Sequence, residues 1–369
     1  MLRYLAFALI LIHALIHLMG FLKGQDLGSF DELKLPISKG ASWGWLLALI
    51  LLSIGGIGFL LDVNWWVSIL MIGVIISQIL IFAFWQDAKY GTVANVLIGI
   101  VLLAGYSAQR FETSFREDVE RIHQKIASTN SNSNLLSEDD IAHLPAPVQG
   151  YLRYTRSMGK PKITDFSVHM HGEMRQDETG KWFSFTSEQY NAIAKPSRLF
   201  FMKAHVKGLP TAGYHAYQND DALMLIKVLS FLPVVDIQEE RLFQAETVTY
   251  LNDLCIMAPA ALIDERFRWE SIDDLNAQVH FKNQGVEIAA VLEFAEDGRL
   301  INFRSNDRTD INRRDKIPFS TPIGDYREMN GRLLPAYGEA IWHYPEGDFT
   351  YGRFYIDRVD YNLAKVSSK

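Results

Sequence analysis

Hydrophobic patterning divides the chain into two regimes. Four unbroken apolar runs occupy 3–22, 43–61, 65–85 and 92–109, and no comparable run follows. Each approaches the roughly 20 residues with which a helix crosses a hydrocarbon layer of ~30 Å. Backbone polar groups in that layer can only be satisfied within the segment, so the runs are predicted to be helices. The first is too long for the apolar core of a secretion signal, and Gly20-Phe21-Leu22-Lys23 lacks the small-x-small spacing of a cleavage site, so it reads as a retained span. Spans two and three are separated by Asp62-Val63-Asn64 and form a tight hairpin. Trp43, Trp45, Trp65, Trp66 and Trp85 stand at span ends, where indole rings favour the headgroup layer.

After the fourth run the pattern changes twice. Phe111, Phe115, Val119, Ile122 and Ile126 recur at helical spacing among charged residues and predict an amphipathic helix over 111–127, leaving the membrane surface. Ser128–Asn134 is polar and low in complexity, and reads as a linker. Ser137 with Asp140 predicts a capped helix start, and a second short helix is expected from Pro145 or Pro147 through Tyr154.

From about 164 the period becomes two. Phe166, Val168 and Met170 alternate with Ser167, His169 and His171, and eleven short strand-like segments follow, to Phe349–Tyr361. Turn residues such as Asn283-Gln-Gly285, Asn330-Gly331 and Glu346-Gly-Asp348 separate many of them. Short strands joined by hairpins predict one strongly curved antiparallel sheet. The exception is Glu239–Leu262, a helical segment apolar enough to lie across the concave face. The expected fold is a four-helix transmembrane domain at 1–110, an amphipathic helix and polar linker at 111–136, and an α+β domain at 137–369. In the last, a curved antiparallel half-barrel sheet has helices covering its hollow.

Composition narrows this picture. Over 369 residues, 43 Asp and Glu exceed 36 Lys and Arg, giving a net charge of −7 and arguing against nucleic acid as a partner. The single cysteine, Cys255, excludes an internal disulfide and a cysteine-cluster metal site. Four spans place Arg3, Arg110, Arg116, Arg121 and Lys125 on one side, against Lys23, Lys34, Lys39 and Lys89 on the other. That count leaves the sidedness open.

Candidate chemistry is sparse. His13 and His17 share one face of the first span; Gln78, Asp87 and Asn95 are their candidate partners. They could form a proton, metal or quinone-type site, or a hydrogen-bonded cluster that fixes the bundle. His169 and His171 share a strand face, but no third zinc ligand is spaced to join them. Asp253 and Glu339 could do acid–base work if they faced one cavity, or could serve as local caps. The mixed charges of Arg299–Lys316 mark a solvated hairpin or a contact with anionic headgroups. Strand aromatics give either a large core or an apolar pocket, for which Trp182, Phe201, Tyr250, Trp269 and Trp342 are the candidate lining. No cofactor, metal site or catalytic motif is read from the sequence.

Leu144, Pro145, Pro147, Val148, Tyr151 and Leu152, then Tyr250, Leu251, Pro259 and Leu262, and finally Pro335, Gly338, Glu339, Trp342, Phe349, Tyr351, Tyr361 and Asn362 carry a family pattern. In these motifs the chain resembles a bacterial domain-of-unknown-function family of membrane-attached proteins, with Asp253 where the family has glutamate. His13, His17, Gly20, Phe21, Trp85, Asp87, Ala88, Lys89, Gly91 and Thr92 resemble the four-span module of one branch. The soluble part is similar, more loosely, to lipoprotein-sorting or lipoprotein-carrier folds. This resemblance implies no catalytic residue. Taken together, the expectation is a multi-pass inner-membrane protein with a periplasmic β domain, in contact with membrane lipids and holding a lipid or other apolar ligand. A membrane enzyme or redox protein built on His13, His17 and Asp87, and a protein-interaction scaffold, are the alternatives.

Overall fold

The protein is described here as a computed structural model, which describes residues 2–127 and 134–364. The polar stretch read as a linker lies outside them except for Asn134. The chain divides into two compact units, Met1–Arg110 with Leu229–Phe231, and Phe111–Val228 with Leu232–Lys369.

In the first unit α1 (Leu2–Gly24), α2 (Lys39–Leu61), α3 (Trp66–Ala83), the single turn α4 (Trp85–Ala88) and the start of α5 (Gly91–Ala127) follow the four apolar runs. Four of these helices are long and apolar enough to cross a membrane. Helices in lipid associate through close packing, and small residues permit it. A Cβ on Gly55 would lie 2.7 Å from the Leu70 Cα, and one on Gly73 3.0 Å from the Leu52 nitrogen, so these glycines set the approach of α2 and α3. The hairpin between them closes on Asp62, in the left-handed region at φ 59°, with Arg3 donating to the Phe59 carbonyl at 2.6 Å. Trp43, Trp65 and Trp85 are exposed, as span-end indoles should be. Trp45 and Trp66 are instead buried, against His17 and Phe59 respectively.

In the second unit, α6 (Glu138–Ile141) starts with the Ser137–Asp140 capping box, and α7 (Ala146–Tyr154) follows. The strands are β1 (Asp165–Met174), β2 (Phe183–Ala192), β3 (Ser197–Val206), β4 (Leu209–Gln218), β5 (Asp221–Val228) and β6 (Leu232–Ile237). After α8 (Glu240–Met257) and a 3₁₀ turn at Pro259–Ile263 come β7 (Phe267–Ser271), β8 (Asn276–Asn283), β9 (Val286–Phe294) and β10 (Leu300–Ser305). The short pair β11 (Thr309–Asp310) and β12 (Asp315–Lys316) precedes β13 (Phe319–Met329), β14 (Arg332–Tyr344) and β15 (Gly347–Tyr361). Thirteen of them form one antiparallel sheet in the order β6-β5-β4-β3-β2-β1-β15-β14-β13-β10-β9-β8-β7. Strands β4 and β8 lie far apart in that order, yet Asn283 on β8 donates to the Tyr217 hydroxyl on β4 at 2.7 Å. Only a strongly curled sheet brings them together.

α8 lies in the hollow of that curl, as its composition predicts. Its packing partners are β4, β5, β9, β10, β11 and β14. Tyr250 sits between the rings of Tyr217 and Phe281 and donates to the Ala192 carbonyl at 2.8 Å, tying the helix to both arms of the sheet.

The outer face is covered too. The apolar stripe of α5 packs Phe111, Phe115, Val119 and Ile126 against Tyr190, Leu199, Phe201, Ala212, Tyr214 and Ala216. Phe115 stacks on Phe201 with centroids 5.5 Å apart. Beside this seam His123 and Tyr190 both meet the buried Asp165 carboxylate, at 3.3 and 3.0 Å. From Phe111 onward α5 is thus a structural layer of the β unit.

Candidate functional site

Within the spans, the predicted polar residues meet around one that the sequence reading passed over, Ser77 on α3. Its hydroxyl lies 3.2 Å from His13 Nε2 and 2.9 Å from His17 Nε2, and Asn95 Nδ2 donates to it at 3.0 Å. Asn95 Oδ1 is 2.9 Å from His13 Nε2, Asn95 Nδ2 also donates to Gln78 Oε1, and Gln78 donates to Thr92. His17 Nδ1 lies 2.8 Å from the His13 carbonyl. Buried polar groups in lipid require such partners, and these supply one another across α1, α3 and α5. Asp87 does not join them: its carboxylate accepts from the Leu35 backbone amide at 2.7 Å. Among the described residues no three His, Cys, Asp or Glu side chains come together to hold a metal.

In the β unit the predicted site residues separate. Strand alternation decides the face of each. Phe201 points to the outer face, beneath α5, because Arg198 and Phe200 take the concave side of β3. It therefore leaves the predicted pocket. Glu339 also points outward, accepting from the Tyr337 hydroxyl and lying 4.0 Å from Arg353, so it shares no cavity with Asp253. The paired acid–base arrangement is not formed. Trp182 is sandwiched by the guanidinium groups of Arg175 and Arg353, at 4.8 and 4.5 Å. Trp269 lies on β7 with its indole donating to the Leu262 carbonyl. Tyr250 belongs to the packing of α8. His171 is exposed, stacked on Tyr355 and bonded to Asp357, the polar outer strand that its alternation predicts.

Asp253 and Trp342 do reach the concave face, in two different settings. Asp253 joins a buried ionic row. Arg198 Nε donates to Asp253 Oδ2 at 2.6 Å and Arg198 Nη1 to Glu246 Oε2 at 3.0 Å, while Gln189 Nε2 donates to Asp253 Oδ2 at 2.7 Å. His215 Nδ1 lies 3.2 Å from the second Glu246 oxygen, and Arg198 stacks on Phe200. Glu246 and Asp253 are seven residues apart on α8, two turns, which puts both carboxylates on one face toward Arg198. Burial pushes the Asp253 carboxyl above its ordinary value, against the pull of Arg198 and Gln189 and with the push of Glu246. At Glu246 burial is outweighed: Arg198, His215 and the more distant Arg308 hold the carboxyl down at about 2. One guanidinium bridges the two carboxylates, and of the pair Asp253 is the more readily protonated.

Beyond this row the concave face turns apolar. The register sets Ile226, Gly213, Met202, Ser187, Met170 and Ile356 side by side from β5 to β15. A second row carries Ala204, Phe185, Gly172, Phe354 and Gly338. Met174, Phe183, Met224 and Phe354 on this face are partly buried. Phe354 also joins a second aromatic group of Phe319, Trp342, Phe349, Tyr344 and Tyr351. In this apolar setting Ser187 Oγ is buried with no hydrogen-bond partner, as is Asn252 Oδ1 on α8. Sequence reading missed Arg198, Glu246 and His215. The signal present was a lone arginine immediately before the apolar run Leu199–Met202 and a glutamate seven residues before Asp253.

Comparison with solved structures finds low-identity likenesses. A domain described as an outer membrane lipoprotein-sorting protein from Vibrio parahaemolyticus has TM-score 0.35 and 7% identity, covering 56% of this chain and 88% of its own. A DUF1329 family protein from Desulfovibrio piger has TM-score 0.36 and 8% identity, covering 60% and 94%. A LolA superfamily protein from Nitrosomonas europaea has TM-score 0.33 and 10% identity, covering 58% and 94%. No curated protein matches the sequence. Residues 134–354, which hold the sheet up to the middle of β15, α8 and the ionic row, match a family of unknown function, DUF6544, and the chain belongs to that family.

Proposed function

We propose that this is a membrane-anchored binding protein whose β domain holds a lipid or other apolar ligand on the concave face of its sheet. One observation carries the reading. α8 packs against β4, β5, β9, β10, β11 and β14, and past the ionic row the face is lined by methionine and phenylalanine side chains, of which Met174, Phe183, Met224 and Phe354 are only partly buried. Apolar surface left in a concavity favours an apolar occupant, at about 25 cal/mol for each Å² removed from water. Methionine suits such a surface because its unbranched, polarisable chain adapts to a flexible partner. The four candidate spans supply the anchor.

Gly213 offers a direct test. It lies in the first apolar row, and a Cβ there would be in ordinary contact, 3.7 Å from Ile226 and Met202. Gly213→Leu should fold and fill the row, whereas Gly213→Ala should leave room. Full-length protein in phosphatidylcholine nanodiscs should bind the uncharged methyl ester of 11-(dansylamino)undecanoic acid saturably, above empty nanodiscs. Gly213→Leu should lower that affinity about tenfold or more, the loss expected when several buried methylenes lose their place. An ester signal no greater than that of empty nanodiscs refutes the proposal.

A further inference from the structure

The aromatic group at the far side of the apolar face holds a cation that, among the described residues, forms no ion pair. Arg308, in the loop between β10 and β11, places its guanidinium 4.1 Å from the Phe319 ring centroid, 4.8 Å from that of Trp342 and 5.7 Å from that of Tyr351. Of its five N–H donors one is used, Nη1 to the Tyr351 hydroxyl at 2.9 Å. Nε is buried and has no hydrogen-bond partner. No carboxylate lies within ion-pair distance of Arg308 among the described residues. The charged groups nearby are committed elsewhere: Glu246 to Arg198 and His215, Asp307 to Lys316 and the Ala289 amide, Asp310 to the Tyr344 hydroxyl. Ring faces attract a guanidinium, but they supply no acceptor oxygens.

Two neighbours make this a site. Phe319 and Thr321 share the concave side of β13, and Asn252 of α8 donates its amide to Thr321 at 3.0 Å while the other end of that amide is buried and unpartnered. Asn252 is more than nine-tenths buried. Phe354 connects the aromatic bed to the apolar rows. A fixed cation, an unsatisfied amide and an apolar track thus follow one another along the same face.

We infer that Arg308 is the headgroup anchor for an anionic acyl lipid, whose chain runs over Trp342 and Phe354 toward Phe185 and Met202. A planar guanidinium with Nε and Nη2 donors that no described residue engages matches the paired oxygens of a carboxylate or phosphate, and its partial burial among rings strengthens that contact. The inference rests on the apolar-ligand reading above and adds its charge requirement. The unpaired amide of Asn252 fits a headgroup hydroxyl or a water beside it.

The test compares 11-(dansylamino)undecanoic acid with its methyl ester, which share a chain and differ in one charge, on the full-length protein in phosphatidylcholine nanodiscs at pH 7.5. Wild type should bind the acid roughly tenfold or more tightly than the ester, the size of a charge-assisted pair. Arg308→Gln should abolish that preference by lowering acid affinity to that of the ester, and a near-ultraviolet circular-dichroism spectrum and melt matching wild type report that the variant is folded. Arg308→Lys, which keeps the charge and loses the fork, should retain only part of it. Equal binding of acid and ester by wild type overturns the anchor and leaves the apolar site standing, as does an acid preference that survives in Arg308→Gln. Absence of saturable ester and acid binding overturns both.

Discussion

Arg198 holds two carboxylates where water has been excluded, and the response of the domain to acid follows from that. Glu246, at about 2, titrates below its unfolded value of 4.5. A depressed carboxyl contributes stability that is present above the unfolded value and lost as pH falls through the folded one. Asp253 is shifted the other way, so protonating it relieves the cluster and opposes that loss. Glu246→Gln should therefore flatten the decline of thermal stability between pH 4.5 and 2, and Asp253→Asn should steepen it. Circular-dichroism melts in nanodiscs across that range check the pair, and a Glu246→Gln curve parallel to wild type contradicts it. Removing the shared cation is harsher. Arg198→Met leaves two buried carboxylates facing each other and should cost about 3–5 kcal/mol.

Arg198 also marks where sequence reading stops at this scale. Asp253 was visible because it interrupts an apolar helix. Its partner was not, because a single arginine in a strand gives no sign of its face until β3 is paired and its register fixed. The same holds for Ser77, which is unremarkable within an apolar span until three helices converge on it.

At the scale of elements, periodicity located the spans, α8 and most strands. Strands β4 and β6 and the two-residue pair β11 and β12 escape it. β4 (LPTAGYHAYQ) mixes Pro, Gly and Ala, all poor strand formers, with residues chosen for two different coverings. Tyr214 faces α5, and His215 and Tyr217 face α8. A strand buried on both faces shows no alternation of apolar and polar positions. The amphipathic stripe of α5 was legible, but its destination was not: a helix at the end of a span could lie on lipid or on protein. Its burial on the outer face makes a clear prediction. Phe115, 1% exposed and wedged between Phe201 and Tyr214, should cost about 3–5 kcal/mol when cut to alanine. Melting of the β domain, followed by loss of its near-ultraviolet circular dichroism, measures this. A helix that only rested on lipid would leave that transition in place.

For the whole molecule the open variable is the side of the membrane on which the β domain folds, and the loop charges bear on it. Four crossings put the segments 25–38 and 84–90 on one side, and the 62–65 hairpin on the other with the β domain. The first side carries Lys23, Lys34, Lys39 and Lys89 at or between span ends, whereas the other carries Arg3, which pairs with Asp62 of the hairpin, and Arg110 at its span ends. On the β-domain side, Arg116 pairs with Glu112 and Glu188, and Arg121 with Asp118, within a folded layer. Orientation follows Lys and Arg in short loops most strongly, while large domains translocate largely regardless of charge. We therefore propose that the lysine-bearing loops face the cytoplasm and the β domain the periplasm of an inner membrane. Alkaline phosphatase fused after residue 369 should be active and green fluorescent protein at the same point dark, and the reverse pair of results places the domain inside. Replacing Lys23, Lys34, Lys39 and Lys89 together by glutamine should weaken or invert the orientation, which an unchanged reporter pattern would contradict. The ligand reading depends on the outcome physically: a domain in the periplasm faces the outer leaflet of that membrane, and an anionic acyl lipid held at Arg308 would be drawn from that leaflet.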